Sequence, residues 1–184
     1  MNSAMPAELP PSMRRLSARL AAACLVLIII LPLAVAAYWG VADAGSLAVR
    51  ANLPPGAMNG PLASWQRAAG GAATELPLCL LLVGLWHARH CFVQFAAGYV
   101  FTAAAMTDLR RFAGWAMASA GADIVCRALV SMLITLQNAP GQRQLAIGIG
   151  SDQILLLLFA FMVWLMAAVI GAGRALADEN AGFV

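Results

Sequence analysis

The sequence predicts an all-α protein: an integral membrane bundle of four transmembrane helices, with a short extended segment in its second outer loop. Three observations carry this. Of 184 residues, 62% are apolar and 10% charged, too few polar groups to clothe a water-soluble surface. Several uncharged apolar runs approach or exceed the ~20 residues a helix needs to cross ~30 Å of hydrocarbon. Turn formers cluster between those runs. The eleven basic residues, all arginine, stand against eight carboxylates; that is too sparse for a nucleic-acid surface, and no nucleic acid is expected as a partner.

Residues 1–19 form a tail bearing Arg14, Arg15 and Arg19. The first span, 20–42, is free of formal charge from Leu20 to Ala42. A secretory signal peptide competes with it, because the arginines form a basic n-region and Ala34-Val35-Ala36 has a cleavage-site form; the apolar run exceeds the ~7–15 residues of a signal core, which favours a retained helix. Residues 43–71 read as an outer loop, with Pro54-Pro55-Gly56, Asn59-Gly60-Pro61 and Gly70-Gly71 excluding long regular structure. Within it, Ser64-Trp65-Gln66-Arg67 suits a short interfacial helix with Trp65 at the headgroups. The second span, 72–88, carries Pro77 in its first turn, where a missing amide is tolerated.

Residues 89–111 are read as a cytoplasmic, interfacial segment in which Phe92, Phe95, Tyr99 and Phe101 dip into the headgroup boundary. The alternative is a fifth span over 91–107. Charge decides between them: with four spans, Arg14, Arg15, Arg19, Arg89, Arg110, Arg111 and Arg174 fall on one side and Arg50, Arg67 and Arg143 on the other. That matches the positive-inside rule with both termini cytoplasmic, as in a bacterial inner membrane. The third span, 112–136, carries Asp123 and Arg127 near its middle. In the second outer loop, 137–152, Gln144 to Ile149 alternates polar or small with aliphatic residues, a strand period that needs a partner to be stable. The last span, 153–173, is expected to start at a Ser151–Asp152 cap and end at Gly171, Gly173 and Arg174, leaving a tail over 174–184.

Asp123 and Arg127 are the sharpest chemical feature. Spacing i, i+4 puts both on one helical face, so they form a candidate intramembrane ion pair. Each charge near a span's centre costs about 2.5–3.5 kcal/mol on insertion scales, which calls for inward packing or a watery cleft. The pair serves either as an ion or ligand contact or as a lock on helix register. His87 and His90, at i, i+3, are the only histidines, too few for the ligand sets of catalytic zinc or bis-histidine haem, so no cofactor is expected. Cys24, Cys79, Cys91 and Cys126 lie in or beside spans and read as apolar fillers. Gly114, Ala118 and Ala122, and Ala160, Ala168 and Ala172, follow small-xxx-small spacing that permits close helix contact. No catalytic serine elbow, phosphate loop, zinc-protease motif or dinucleotide fingerprint occurs, so an enzyme is not expected.

Several stretches in order resemble a known group: Val100-Phe101-Thr102, Leu109-Arg110-Arg111-Phe112-Ala113-Gly114-Trp115, Pro140-Gly141-Gln142-Arg143-Gln144-Leu145, Ser151-Asp152 and Leu176-Ala177-Asp178-Glu179-Asn180. Together they are similar to the bacterial domain of unknown function 2975, over roughly the C-terminal half of the chain. The resemblance implies a small bacterial membrane protein of about four helices without assigned activity, in some members beside a gene for a helix-turn-helix regulator. Thr102 fits a helix N-cap, and Arg110 and Arg111 would anchor that helix at the headgroups.

The functional expectation is a non-enzymatic accessory or regulatory protein of the inner membrane. Its partners would be the lipid bilayer, a second copy of itself and a cytoplasmic regulatory protein, with His87, His90, Thr102, Arg110 and Arg111 as candidate contacts. The competing expectation is a small homo-oligomeric transporter or channel that uses Asp123 and Arg127.

Overall fold

The computed structural model describes residues 10–181 except 55, 58, 59, 101 and 140, with side chains up to Leu176. Pro55, Asn59, Phe101 and Pro140, which figure in the loop and motif readings, lie outside the described residues, as do residues 1–9 and 182–184 of the tails and the side chains of Asp178 to Asn180. The helices are α1 (Pro11–Val41), α2 (Ala44–Arg50), α3 (Ser64–Ala96), α4 (Ala103–Thr135) and α5 (Ser151–Ala181), with no strand among the described residues. All but α2 are long and apolar enough to cross a membrane, so the chain is a multi-pass membrane protein. A third of α4's spanning window is buried, against 6% for α1, so α4 is the most enclosed of the four long helices and α1 the least.

The helices outrun their apolar cores. At 1.5 Å per residue, the 33 residues each of α3 and α4 give about 50 Å, well beyond ~30 Å of hydrocarbon. The Ser64–Arg67 stretch is therefore the first turn of α3 rather than a separate interfacial helix, and Gly70-Gly71 lies within α3 rather than in a loop. Likewise α5 runs past Gly171, Gly173 and Arg174 to Ala181. Turn chemistry read from sequence yields where tertiary contact makes use of the same residues.

The chain divides into two compact units, residues up to Ile28 with Leu82–Met117 and Leu157 onward, and Ile29–Leu81 with Ala118–Leu156. In the second, the loop unit, Trp39, Leu47, Ala48, Ala51, Leu53, Ala57, Leu62, Val130 and Ile134 form the core. Helix α2 starts at Asp43, whose carboxylate accepts the Ser46 hydroxyl at 2.7 Å and the Ser46 amide at 3.0 Å. These bonds hold the Asp43 carboxyl below the usual carboxylate range. It stops in a Schellman motif: Asn52 sits at φ 56°, the Leu53 amide reaches the Ala48 carbonyl at 3.0 Å, and the Asn52 amide reaches that of Val49 at 3.0 Å. Arg67 closes the end of α1 by donating to the carbonyls of Trp39 at 3.1 Å and Ala42 at 2.9 Å, as a cation at a helix C-terminus should.

Pro77 lies thirteen residues into α3, not in its first turn; its carbonyl accepts the buried Ser119 hydroxyl at 2.7 Å, which ties α3 to α4. The indole of Trp39 packs on Gly70 so closely that a Cβ there would overlap the ring, and lies over Gly71. Two glycines inside a helix each cost about 1 kcal/mol against alanine; here Gly70 admits the largest side chain of this core.

The alternation over Gln144–Ile149 has a different outcome from a paired strand. Residues 142–150 run without helix, turn or bend, strapped along α4 by two hydroxyls. The Ala146 amide donates to Ser131 Oγ at 2.9 Å, and the Gln144 amide to Thr135 Oγ1 at 3.2 Å. Four residues of helix rise about 6 Å and two of extended chain about 6.6 Å, so the spacings match. Leu145, Ile147 and Ile149 point away and are exposed.

In the first, the hairpin unit, Cys91, Ala105 and Met106 are buried with Phe95 and Leu109 packed against them. Gly84 lets α3 approach α4 closely: a Cβ there would lie 3.2 Å from that of Trp115. Mid-α4, the buried small residues are Ala113, Ala116, Ser119 and Ala120, while Ala118 of the expected small-residue stripe is exposed. Among the described side chains of α5, Gln153, Ala160 and Ala167 are the buried ones, a seven-residue repeat that presents one narrow seam. Ala172 is exposed.

Candidate functional site

Two polar constellations stand out, one in each unit. In the loop unit, Arg127 Nε donates to Asp123 Oδ2 at 2.7 Å, the pair expected from i, i+4 spacing. The structure adds two partners from α5. Arg127 Nη2 donates to Asp152 Oδ2 at 2.8 Å, and Gln153 Nε2 to Asp123 Oδ2 at 2.6 Å. The four side chains form a clamp between α4 and the first turn of α5.

Asp152 and Gln153 precede the apolar run that begins at Ile154, so Asp123 and Arg127 meet the polar first turn of α5. Ser151 and Asp152 were expected to cap α5. Instead Gln153 takes the free Gly150 amide on its side-chain oxygen at 2.8 Å, and Asp152 is directed to Arg127. Asp152 keeps 62% of its side chain exposed, against 25% and 27% for Arg127 and Asp123.

A cleft of about 220 Å³ adjoins the clamp, lined by Arg50, Thr74, Leu78, Asp123, Asp152 and Gln153 among others. Arg50, Thr74 and Asp123 also line a smaller void of about 20 Å³ with Trp39, Leu47 and Val130. Trp39 is 4% exposed, and its indole Nε1 is the one fully enclosed side-chain polar atom without a hydrogen-bond partner among the described residues. Among the described residues Arg50 has no carboxylate within ion-pair distance; its guanidinium lies 5.4 Å from the Tyr38 ring centre.

In the hairpin unit, His87 Nδ1 lies 3.0 Å from Asp108 Oδ1, Gln94 donates to Asp108 Oδ2 at 3.2 Å, and Thr102 donates to Gln94 Oε1 at 3.0 Å. Thr102 also caps α4, accepting the Ala105 amide at 3.1 Å. The chain turns back after α3, with Gly98 at φ 93°. The 89–111 stretch is thus the tip of a helical hairpin, not a separate segment lying flat. Phe92 and Phe95 pack edge to face at 6.3 Å, and Phe95 turns to the core; of the four aromatics assigned to the headgroups, Tyr99 is exposed. Arg14 Nε donates to the Ala96 carbonyl at 3.0 Å, tying α1 to the end of α3.

The candidate contacts divide accordingly. His87 and Thr102 belong to the internal network, whereas the His90 ring lies 5.4 Å from that of Trp86, tilted by 43°, and His90 is exposed with Arg110 and Arg111. Arg110 lies 5.2 Å from the Trp164 ring centre, a cation–π contact with α5. Sequence reasoning missed Asp108, Gln94, Gln153 and Trp39. Only the first carried a signal, as a carboxylate between Thr102 and Arg110 with no local basic partner at i−4. Comparison of the chain with protein-family models, curated proteins and solved structures gives no match.

Proposed function

We propose that the protein is a non-enzymatic accessory or regulatory component of a bacterial inner membrane, in keeping with its resemblance to the bacterial domain of unknown function 2975. It acts through a protein partner at the tip of the α3–α4 hairpin, on the cytoplasmic side together with both termini. The observation that carries this reading is the His87–Asp108–Gln94–Thr102 network. It fixes the tip in one geometry from within and leaves His90, Val93, Tyr99, Thr107 and Arg111 exposed around it. A preorganised surface of mixed aromatic and basic groups suits protein recognition, since little ordering entropy remains to be lost on binding. The Asp123–Arg127 pair fits the same reading, because its partners on α5 give it a structural role.

The test is photo-crosslinking in cells from a reactive residue at Tyr99, with one at Ile147 as control. A single heterologous adduct from Tyr99, lost in Arg111→Glu, is the expected result. A chain that crosslinks only to copies of itself, with ion or solute flux abolished by Asp123→Asn, would replace this reading with the transporter.

A further inference from the structure

Among the described residues, every carboxylate side chain but one has a hydrogen-bonding partner. Asp43 takes Ser46, Asp108 takes His87 and Gln94, and Asp123 and Asp152 take Arg127. Glu75 of α3 takes none. Its own helix offers it no cation, because the positions three and four residues away are Gly71, Ala72, Leu78 and Cys79, so the local pairing that serves Asp123 is closed to it. Arg67, eight residues earlier, donates instead to the carbonyls of Trp39 and Ala42. Yet Glu75 is half-buried and stands at the head of the uncharged run Leu76 to Trp86. An ionisable group kept in a spanning helix is costly, and it characteristically marks a ligand or ion contact.

Glu75 lines a groove of about 400 Å³ whose walls are Ala36 and Gly40 of α1 and Ala68 and Ala72 of α3. All four wall residues are exposed, and side chains that end at or before Cβ leave the groove open. We propose that this groove binds an organic ammonium ion with an apolar body, its charge received by the Glu75 carboxylate and its carbon chain lying along the small residues of both helices. Charge selects a cation: of the two ionic groups lining the groove, Arg67 is taken up by the carbonyls at the end of α1, and Glu75 is free. Ligand number selects an organic ion over a metal. Calcium and magnesium need about six or more oxygens, whereas the lining supplies the Glu75 carboxylate and the Ser64 hydroxyl as its side-chain oxygens. The aliphatic walls select an apolar body, as in most small-molecule sites. Such an ammonium is carried either by a free amine or by the headgroup of an aminophospholipid. This site is independent of the partner reading, because none of its residues belongs to the hairpin tip.

The experiment uses the full chain purified in mild detergent at constant pH and ionic strength. Hexylammonium is titrated, with hexanol as its uncharged counterpart. Binding is read as a saturable shift of the thermal unfolding midpoint, since a ligand that binds only the folded state stabilises it by mass action. Hexylammonium is expected to bind, and hexanol about tenfold or more weaker, the loss of one charge-assisted contact. Glu75→Gln should weaken hexylammonium by a similar factor, and Ala72→Leu, which fills the groove from one wall, several-fold. Asp152→Asn, a carboxylate outside this groove, should bind as the unaltered chain does. The source of the ammonium is read in nanodiscs, from the midpoint advantage of the unaltered chain over Glu75→Gln. A larger advantage in phosphatidylethanolamine than in phosphatidylglycerol assigns the lipid headgroup; an equal one assigns the free amine. The absence of a saturable hexylammonium response overturns the proposal; so does equal binding of hexylammonium and hexanol, or unchanged affinity in Glu75→Gln. A midpoint that rises with protein concentration and ignores hexylammonium would give the groove to a second copy of the chain and equally overturn it. If Glu75→Gln fails to fold, dicyclohexylcarbodiimide labelling of Glu75 in the unaltered chain decides, by mass spectrometry: slowing by hexylammonium and not by hexanol supports the site, and labelling indifferent to both removes it.

Discussion

At the scale of single residues, Arg127 is the node of the loop unit's clamp: it holds Asp123 at 2.7 Å and Asp152 at 2.8 Å, and losing it leaves two carboxylates facing each other. Hydrogen bonds to charged groups contribute about 1.5–3 kcal/mol when enclosed and less as water screens them. Arg127→Gln is therefore expected to lower stability by about 2 kcal/mol, and Asp123→Asn by somewhat less because Gln153 and Arg127 can both still donate to the amide oxygen. Asp152→Asn, at a site 62% exposed, should fall under about 1 kcal/mol. Chemical unfolding of the four proteins in one detergent gives the ranking, and an Asp152→Asn loss as large as that of Asp123→Asn would show that the clamp is not organised around the more enclosed pair. The intrahelical half of this site was legible in the sequence because i, i+4 spacing is a local rule. Asp152 and Gln153 were not, because what they touch lies 25 and 30 positions away in the chain, and the Trp39 donor is defined only by an absence of neighbours.

At the scale of elements, four spans were legible because length and charge spacing are properties of the lipid as much as of the chain. Helix ends were read less well. Gly70-Gly71, Gly171 and Gly173 carry turn propensity, yet inside a long helix already paid for in hydrogen bonds by its neighbours, propensities of about 1 kcal/mol do not decide. The second outer loop shows the opposite case. Its period-two alternation correctly marked an extended segment with one inward face, while the partner proved to be helix hydroxyls, which no strand rule names. That strap makes a direct prediction. Removing both hydroxyls in Ser131→Ala/Thr135→Val should release the amides of Gln144 and Ala146, each bond worth about 1 kcal/mol and so roughly fivefold in opening. Hydrogen exchange at those two amides and tryptic cleavage after Arg143 are both expected to accelerate, with α4 itself unchanged. Exchange rates equal to those of the unaltered chain would mean that the segment is held by something other than Ser131 and Thr135.

At the scale of the whole molecule, the proposed topology makes a prediction of its own: four spans would leave both ends of the described chain on one side of the membrane, and the positive-inside rule would make that side cytoplasmic. The hairpin unit carries seven arginines, and the loop unit Arg50, Arg67 and Arg143 with Arg127 at the clamp. The uncharged part of α4, Phe112 to Ala122, is only about 16 Å long, and the charges bounding it find partners: Arg110 over the Trp164 ring, Asp123 and Arg127 at the polar start of α5. A fifth crossing over 91–107 would instead carry Arg110 and Arg111 to the opposite face, and the break between α3 and α4 falls in the middle of that stretch, where a crossing would need continuous helix. Reporter fusions discriminate between the two. Green fluorescent protein joined after Gly98 and after Ala181 is expected to fluoresce, while alkaline phosphatase joined after Ala57 and after Gly141 is expected to be active. Phosphatase activity from a fusion at Gly98 would invert the hairpin, put its arginines outside, and remove the cytoplasmic surface on which the proposed partner binds.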